Sequence, residues 1–539
     1  MKSAYVDTFA ADNLPRRELW PEFRFDVPEV RYPARINCAA ELLDRMAAKA
    51  GGRIVIRTPD GQCTYAQFMA QANRIAHVLV NDMGLVPGNR VLLRGPNNPM
   101  MAACWFAVMK AGGIVVATMP LLRSKEITEI VTKAEVSHAL CDRRLCADLE
   151  AALPNCPTLK TIRHWYDDGP DSLDQLCARQ PGEFRNVDTA ADDVALIAFT
   201  SGTTGKPKGT MHFHRDVVAM CDLFPRSCLR TRPDDVFCGT PPLAFTFGLG
   251  GMLAFPMRCG ASTVLVERLT PEILLDTIQR FRATVCFTAP TFYRQMAGLA
   301  KNYDLGSLER CVSAGEALPD ATRQLFKSAT GIEIIDGIGS TEMIHIFISH
   351  TPERARRGAT GYAIPGYEAA VLDESGMRCA PGVVGRLAVR GATGCRYLAD
   401  ERQKSYVITE GPMRGWNVTG DAYSMDADGY FFYQSRTDDM IISAGYNIAG
   451  PEVEGALLTH PAVAECGVVG VADEQRGQIV KAFVVLKPGH AADPAMAKAL
   501  QDHVKNAIAP FKYPRAVEFV EVLPRTESGK LQRFKLRTL

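Results

Sequence analysis

Short apolar runs alternate with helical patterns over the first 350 residues. Residues 90–94 are largely apolar, residues 99–110 form an apolar run between Asn98 and Gly112, and residues 114–119 are rich in β-branched side chains. This order predicts a strand, a helix and a strand, which is the βαβ unit of a parallel sheet. Further runs of the same kind occupy residues 194–199, 263–267, 284–288 and 332–336, and a helical pattern occupies residues 271–281. The alternation predicts an α/β architecture with parallel-rich sheets.

The apolar stretch from residue 100 to residue 122 raises the question of a membrane helix. Lys110 interrupts it near the centre, and Gly112 and Gly113 follow. A membrane-spanning helix needs roughly 20 consecutive apolar residues. The stretch therefore favours a buried helix followed by a buried strand, and we expect no membrane span.

The pattern changes after about residue 360. Closely spaced strand patterns at residues 367–372, 385–389 and 430–433 predict a β-rich subdomain. From about residue 438 a helix beginning at Gly450 and strands near residues 464–471 and 481–487 predict a compact α+β unit. The sequence thus predicts a large N-terminal domain, residues 1–437, and a small C-terminal domain, residues 438–539.

Composition and charge narrow the class of partner. The 539 residues include 61 Lys+Arg and 60 Asp+Glu, giving a formal net charge of +1. This balance lacks the broad basic surface that nucleic-acid binding needs, so small molecules are the expected partners. No two of the sixteen cysteines have C-x-x-C spacing, and the first residues contain no apolar signal core. We therefore expect reduced thiols and a cytoplasmic protein.

A glycine- and hydroxyl-rich stretch follows the strand pattern at 194–199. Glycines allow backbone N–H groups to approach an anion, hydroxyls donate hydrogen bonds and lysines supply positive charge, so the stretch predicts a phosphate-binding loop. It is not a Walker A loop, because Pro207 follows Lys206 and Thr200 stands where glycine is required. The candidate phosphate-binding residues are Thr200, Ser201, Gly202, Thr203, Thr204, Gly205, Lys206 and Lys208.

Taken with five later motifs, this loop resembles the adenylate-forming superfamily of acyl-CoA synthetases, luciferases and peptide-synthetase adenylation domains. The later motifs occur in the family's order: DGIGSTE at 336–342, TGD at 419–421, SRTDDMII at 435–442, SAGYNI at 443–448 and PRTESGK at 524–530. The resemblance spans about residues 50 to 539 and implies ATP as a substrate. It also implies a C-terminal domain that is mobile and rotates between two reaction steps.

The resemblance assigns catalytic roles to three residues. It implies that Glu342 is the ligand of the magnesium ion bound to ATP, a role that suits a hard carboxylate oxygen. Thr341 is implied to supply a hydroxyl to the α-phosphate or the acyl-adenylate. Lys530 is implied to offset the negative charge that develops when a carboxylate attacks the α-phosphate.

Other implied roles concern the nucleotide, the rotation and the thiol. The implied AMP-binding residues are Gly315, Glu316, Asp336, Gly337, Asp421 and Arg436, of which Asp421 is the expected ribose ligand. Asp438 matches the hinge position. Gly445 matches a segment that leaves room for a pantetheine arm. Coenzyme A is the expected acceptor.

The acid is expected to be aromatic. Segments at 212–220, 242–248, 287–293 and 339–345 are similar to pocket-lining segments of benzoate-CoA ligases and, more closely, of 2-aminobenzoate-CoA ligases. Flat aromatic walls suit a planar ring. The candidate acyl-pocket residues are Phe245, Phe247, Tyr293, Gly339 and His345. Alternatives are an aliphatic or hydroxy acid, an adenylation enzyme that loads a carrier protein or acts like a luciferase, and a catalytically silent nucleotide-binding regulator.

Overall fold

The computed structural model describes residues 2–200, 207–437, 439–443, 446–473, 476–526 and 529–539. These residues form four sheets. One sheet has six strands, and all neighbouring pairs except the last are parallel. In spatial order its strands are Thr161–Trp165, His138–Asp142, Arg90–Arg94, Ile114–Thr118, Val194–Thr200 and Lys208–Phe213.

A nine-stranded sheet carries most of the candidate site. Its central pairings are parallel and those near its edges are antiparallel. In spatial order its strands are Tyr362–Ala363, Ile346–Ser349, Ile334–Gly339, Arg310–Ser313, Val285–Thr288, Val236–Gly239, Ser262–Val264, Ile54–Thr58 and Gly61–Thr64. The two sheets confirm the prediction of parallel-rich α/β architecture.

Helices cover these sheets. The α-helices of six or more residues here are Arg45–Ala50, Tyr65–His77, Pro99–Lys110, Ser124–Lys133, Cys146–Ala152, Leu173–Ala178, His214–Asp222, Pro271–Phe281, Pro290–Leu299 and Asp320–Thr330. The Asn98 side chain caps Pro99–Lys110 by accepting from the Met101 backbone N–H, and nearly every residue of this helix is buried. In the described part of the chain, no helix is both long and apolar enough to cross a membrane.

The predicted β-rich subdomain is an antiparallel four-stranded sheet. Its strands are Tyr367–Leu372, Gly385–Gly391, Asn417–Met425 and Phe431–Arg436. The last two strands pair Asp421 directly with Arg436. This register brings together two residues that the sequence assigned to AMP binding.

The C-terminal part, residues 439–539, has its own sheet and core. Its strands are Ile441–Ser443, Tyr446–Ile448, Val463–Asp473, Gly477–Leu486 and Ala516–Phe519. Its α-helices are Gly450–Leu457, Pro494–Ala507 and Arg533–Leu536. Val453, Leu457, Val480 and Leu500 are fully buried in this core. The predicted helix at Gly450 and the two predicted strands are confirmed.

Candidate active site

One cavity of roughly 2440 Å³ opens where the parallel strands of the nine-stranded sheet end. The carboxyl ends of such strands are the usual ligand-binding edge of an α/β sheet. Residues of both the large part and the C-terminal part line the cavity. The candidate residues among them are Thr200, Lys208, Phe245, Phe247, Gly315, Glu316, Asp336, Gly337, Gly339, Thr341, Glu342, His345, Asp421, Arg436 and Lys530.

Several candidates cannot be placed. Ser201, Gly202, Thr203, Thr204, Gly205 and Lys206 of the phosphate loop lie outside the described residues, as do the hinge candidate Asp438 and the thiol-channel candidate Gly445. Their assignments stay predictions. The two ends of the loop, Thr200 and Lys208, do line the cavity.

Glu342 lies in the turn after the strand Ile334–Gly339 and is mostly buried. The Tyr397 hydroxyl donates to Glu342 Oε1 at 2.5 Å. Lys208 Nζ in turn donates to the Tyr397 hydroxyl oxygen at 3.3 Å. Tyr397 therefore links the end of the phosphate loop to Glu342. Sequence reasoning missed Tyr397, since nothing in its local sequence marks it as different from a core tyrosine.

The backbone of the same turn is held by His212. Its Nε2 lies 2.7 Å from the Thr341 carbonyl oxygen, and burial lowers the pKa of His212 to about 4. The imidazole is therefore neutral near pH 7, with its proton on Nε2 to make this bond. His212 begins the segment 212–220, which is similar to pocket-lining segments. Its side chain is fully buried and fixes the position of Thr341.

Glu342 fits a magnesium ion that arrives with a nucleotide. Mg²⁺ on ATP is held by one or two carboxylates together with phosphate oxygens and water. Glu342 offers one carboxylate facing the cavity that Lys208 also lines. Among the residues that the structure describes, no group of three or more His, Cys, Asp or Glu could hold a metal by itself.

Asp421 and Arg436 form the candidate ribose site. Arg436 Nη1 donates to Asp421 Oδ1 and to the Thr419 carbonyl, each at 3.1 Å. Gly420, which lies between Thr419 and Asp421 in the sequence, has a φ of +78°, and a Cβ there would lie 2.6 Å from the Arg436 guanidinium. The TGD motif thus needs its glycine to let Arg436 pass beside Asp421. Burial raises the pKa of Asp421 above its usual value.

Asp336 is a third buried carboxyl in the cavity wall, after Glu342 and Asp421. Burial raises its pKa to about 8. Near pH 7 the carboxyl is therefore largely protonated, so it can donate a hydrogen bond as well as accept one. The Ser349 hydroxyl donates to the Asp336 carbonyl at 2.6 Å and fixes the strand at this point.

Lys530 reaches the cavity from the C-terminal part. Its backbone N–H donates to Thr526 Oγ1 at 3.0 Å, and its carbonyl accepts from the Thr526 N–H at 2.7 Å. The described residues 525–526 and 529–531 are called the Lys530 turn below. Its side chain passes Gly315, where a Cβ would lie 3.5 Å from Lys530 Cε. Enclosure in the cavity lowers the pKa of Lys530, while Glu316 and Asp421 oppose this effect.

The predicted aromatic wall surrounds His345. The imidazole centre lies 4.5 Å from that of Phe255, 5.7 Å from Phe247 and 5.9 Å from Phe224. Burial lowers the pKa of His345 to about 3, so the ring is neutral. In the described part of the chain neither ring nitrogen makes a hydrogen bond of normal geometry. The Phe247 backbone is a polar neighbour of the ring, so the wall contains one donor and one acceptor that lack a well-formed hydrogen bond.

The assignment of Tyr293 to this pocket was wrong. Tyr293 is fully buried, and its hydroxyl donates to the carbonyls of Cys286 and Val312 at 2.9 and 3.0 Å. Its ring packs against Phe326. The helix Pro290–Leu299 turns this residue into the core, whereas its neighbour Phe292 lines the cavity.

Known proteins are similar to this chain in sequence. The profile of the AMP-binding enzymes matches residues 43–396, and that of the AMP-binding enzyme C-terminal domain matches residues 452–530. The benzoate–CoA ligase of Thauera aromatica is 36% identical over 517 residues, covering 95% of this chain and 97% of that protein.

Two solved structures are also similar. The anthranilate CoA ligase AuaEII in complex with anthranoyl-AMP has a TM-score of 0.90 and 34% identity, covering 95% of this chain and 98% of that chain. A benzoate CoA ligase from Burkholderia xenovorans LB400 has a TM-score of 0.84 and 31% identity, covering 93% and 100%. The chain therefore belongs to the adenylate-forming family of AMP-binding enzymes.

Proposed function

We propose that this protein is an ATP-dependent ligase that joins an aromatic carboxylic acid of the benzoate or 2-aminobenzoate type to coenzyme A. The observation that carries the proposal is the composition of the large cavity described above. Lys530, Asp421 and Glu342 line the same cavity as Phe247 and His345. A polar, charged region suited to a nucleotide is thus continuous with an aromatic region suited to a ring.

In the proposed first step a carboxylate oxygen attacks the α-phosphorus of ATP. The new bond forms an acyl-adenylate, and the bond to pyrophosphate breaks. The Lys530 ammonium offsets the charge of the approaching carboxylate and phosphate, which would otherwise repel each other. Asp421 accepts the ribose hydroxyls, and Arg436 holds the Asp421 carboxylate in place.

Glu342 would hold the magnesium ion, and Tyr397 orients the Glu342 carboxylate by donating to Oε1. The ion would supply positive charge to the phosphate oxygens. His212 keeps the Thr341 backbone in place beside Glu342. The phosphate end of the site is thereby built from residues that position one another.

In the proposed second step the sulfur of coenzyme A attacks the acyl carbon, and the thiol proton is released to solvent. A thioester forms, the bond between acyl carbon and phosphate oxygen breaks, and AMP leaves with the electron pair. The family resemblance supports coenzyme A as the acceptor.

All sixteen cysteines lie in the described part and are free, which supports the proposal of a reducing, cytoplasmic environment.

The substrate proposal is tested by comparing kcat/KM for benzoate, 2-aminobenzoate, 4-hydroxybenzoate and hexanoate. We expect kcat/KM for benzoate or 2-aminobenzoate to exceed that for hexanoate by about tenfold or more. A flat aromatic wall can stack on the face of a planar ring or contact its edge, and it suits a flexible chain less well. If hexanoate is preferred, the aromatic pocket is wrong. If benzoate and 2-aminobenzoate are equal, only the preference for the ortho substituent is wrong.

His345→Leu sharpens the same comparison. The substitution places an apolar side chain in the wall and removes both ring nitrogens, which lack a well-formed hydrogen bond. We expect a larger loss of kcat/KM for 2-aminobenzoate than for benzoate, since only the former has a ring substituent that can hydrogen-bond to the imidazole. Equal losses for both acids would limit His345 to a packing role.

A further inference from the structure

Glu316 connects the large part of the protein to the turn that carries Lys530. Its Oε1 accepts a hydrogen bond from the Leu531 backbone N–H at 3.1 Å and lies 3.3 Å from Arg525 Nη1. Leu531 follows Lys530 directly, and Arg525 stands at the start of the same turn. One carboxylate oxygen of the large part therefore binds both sides of the Lys530 turn.

The partners of Glu316 are themselves fixed. Arg525 Nη1 also donates to the Gly529 carbonyl at 2.7 Å, and Arg525 Nη2 donates to Glu465 Oε2 at 2.9 Å. On the other side, Thr291 Oγ1 donates to Glu316 Oε2 at 3.4 Å. The carboxylate is thus oriented by the large part, and the guanidinium is oriented by the C-terminal part.

A second contact lies beside the first. The Arg294 guanidinium, on the helix Pro290–Leu299, donates to the Leu458 and Ala464 carbonyls, both at 3.2 Å. These carbonyls flank the start of the strand Val463–Asp473. Arg294 therefore binds the C-terminal part through its backbone, independently of the Lys530 turn.

We propose that Glu316 is a positioning residue that docks the Lys530 turn into the cavity and thereby sets the rate of adenylation. The role rests on the proposed function, since Lys530 acts in the first step. Glu316 contacts the Leu531 N–H and Arg525, whereas the reacting atoms are served by the Lys530 ammonium. Loss of Glu316 leaves Lys530 chemically intact but removes the hydrogen bonds that place it.

The test measures the two half-reactions separately in Glu316→Ala and Glu316→Gln. Adenylation is followed by acid-dependent exchange of pyrophosphate into ATP, and thioester formation by reaction of supplied acyl-adenylate with coenzyme A. A charge-assisted hydrogen bond contributes enough that its loss corresponds to about ten- to hundredfold in rate. We expect that loss of adenylation in Glu316→Ala, with thioester formation within about twofold of wild type.

Glu316→Gln separates charge from hydrogen bonding. Its amide oxygen can still accept from the Leu531 N–H, but it no longer carries a charge for Arg525. We therefore expect a smaller loss of adenylation than in Glu316→Ala. Arg525→Ala should cost less in the Glu316→Ala background than in wild type, because the two side chains act on each other.

Glu353→Gln is the matched control. Glu353 also pairs with an arginine, Arg230, at 3.0 Å, but both side chains are exposed and neither lines the cavity. We expect both half-reactions of this variant to equal those of wild type. A selective loss of adenylation in the control would remove the evidence for Glu316.

Hydrogen–deuterium exchange provides a readout that does not depend on turnover. The Leu531 amide should exchange faster in Glu316→Ala than in wild type, with little change in the Glu353→Gln variant. Unchanged exchange, unchanged adenylation or equal loss of both half-reactions would each overturn the proposal. If wild type activates none of the acids, the proposed function fails, and the exchange experiment still decides whether Glu316 holds the turn.

Discussion

At the scale of single residues, the site depends on charged side chains that lie close together around one cavity. Lys530 is surrounded by Glu316, Asp421 and Glu342, and Arg436 contributes the opposing positive charge. Enclosure lowers the pKa of the ammonium, and the carboxylates keep it from falling further. The ammonium thus lies among the carboxylates that line the same cavity, where it can offset a developing negative charge.

Lys530→Ala tests this role. We expect adenylation to fall by about a hundredfold or more, because the charge that offsets carboxylate and phosphate is lost. Thioester formation from supplied acyl-adenylate should fall much less. In that step sulfur attacks an uncharged acyl carbon, so no carboxylate has to approach the phosphate. The two half-reactions are measured separately. Equal loss in both would refute the assignment.

The sequence predicts residues whose chemistry is carried by a local motif. Asp421 and Arg436 belong to recognisable strings, and the structure pairs them across adjacent strands. Tyr397 and Tyr293 show the limit of this reasoning. The first contacts Glu342 and the second bonds to strand carbonyls, and these roles depend on distant partners that no local pattern identifies.

At the scale of elements, the strong periodic signals gave reliable predictions. The strand Arg90–Arg94, the helix Pro99–Lys110 and the strand Ile114–Thr118 follow the predicted βαβ order. The predicted strand at residues 263–267 was less accurate, since the observed strand is Ser262–Val264. The residues at which this strand begins and ends depend on its pairing with the strands Val236–Gly239 and Ile54–Thr58, which are far away in sequence.

The π-helical segment Leu249–Ala254 was not predicted, although it shapes the aromatic wall. A Cβ on Gly250 would lie 2.5 Å from His345 Cδ2 and 2.6 Å from Nε2. His345 is enclosed by Phe224, Phe247 and Phe255, so it has little room to move. Glycine at position 250 is therefore needed for His345 to occupy its place in the wall.

Gly250→Ala should disturb the acid pocket selectively. We expect kcat/KM for the preferred aromatic acid to fall by about tenfold or more, because an overpacked wall typically costs about 1–3 kcal/mol. The KM for ATP should change little. Gly298→Ala is the control, since a Cβ there meets nothing within 4 Å. Parallel losses for acid and ATP would contradict a local effect on the pocket.

At the scale of the whole molecule, two separately cored parts meet at one cavity. The C-terminal part has its own buried cluster, and it contacts the large part through Glu316, Arg294 and the Lys530 turn. These contacts suit the adenylation step, since they place a cation among the carboxylates of the nucleotide site. The resemblance to the family implies a second arrangement for thioester formation, in which the Lys530 turn gives way to the segment around Gly445.

Asp438→Pro tests whether the chain turns at the predicted hinge. Proline fixes φ near −65° and removes the rotation that a hinge residue needs. Because the described arrangement already holds Lys530 in the cavity, we expect the variant to spare adenylation and to slow thioester formation by about tenfold or more. Asp438→Ala removes the same side chain while leaving φ free, so it should keep both half-reactions near wild type. If Asp438→Pro supports both steps at wild-type rates, residue 438 is not the hinge. If Asp438→Ala shows the same selective loss as Asp438→Pro, the effect comes from the side chain and not from the backbone rotation.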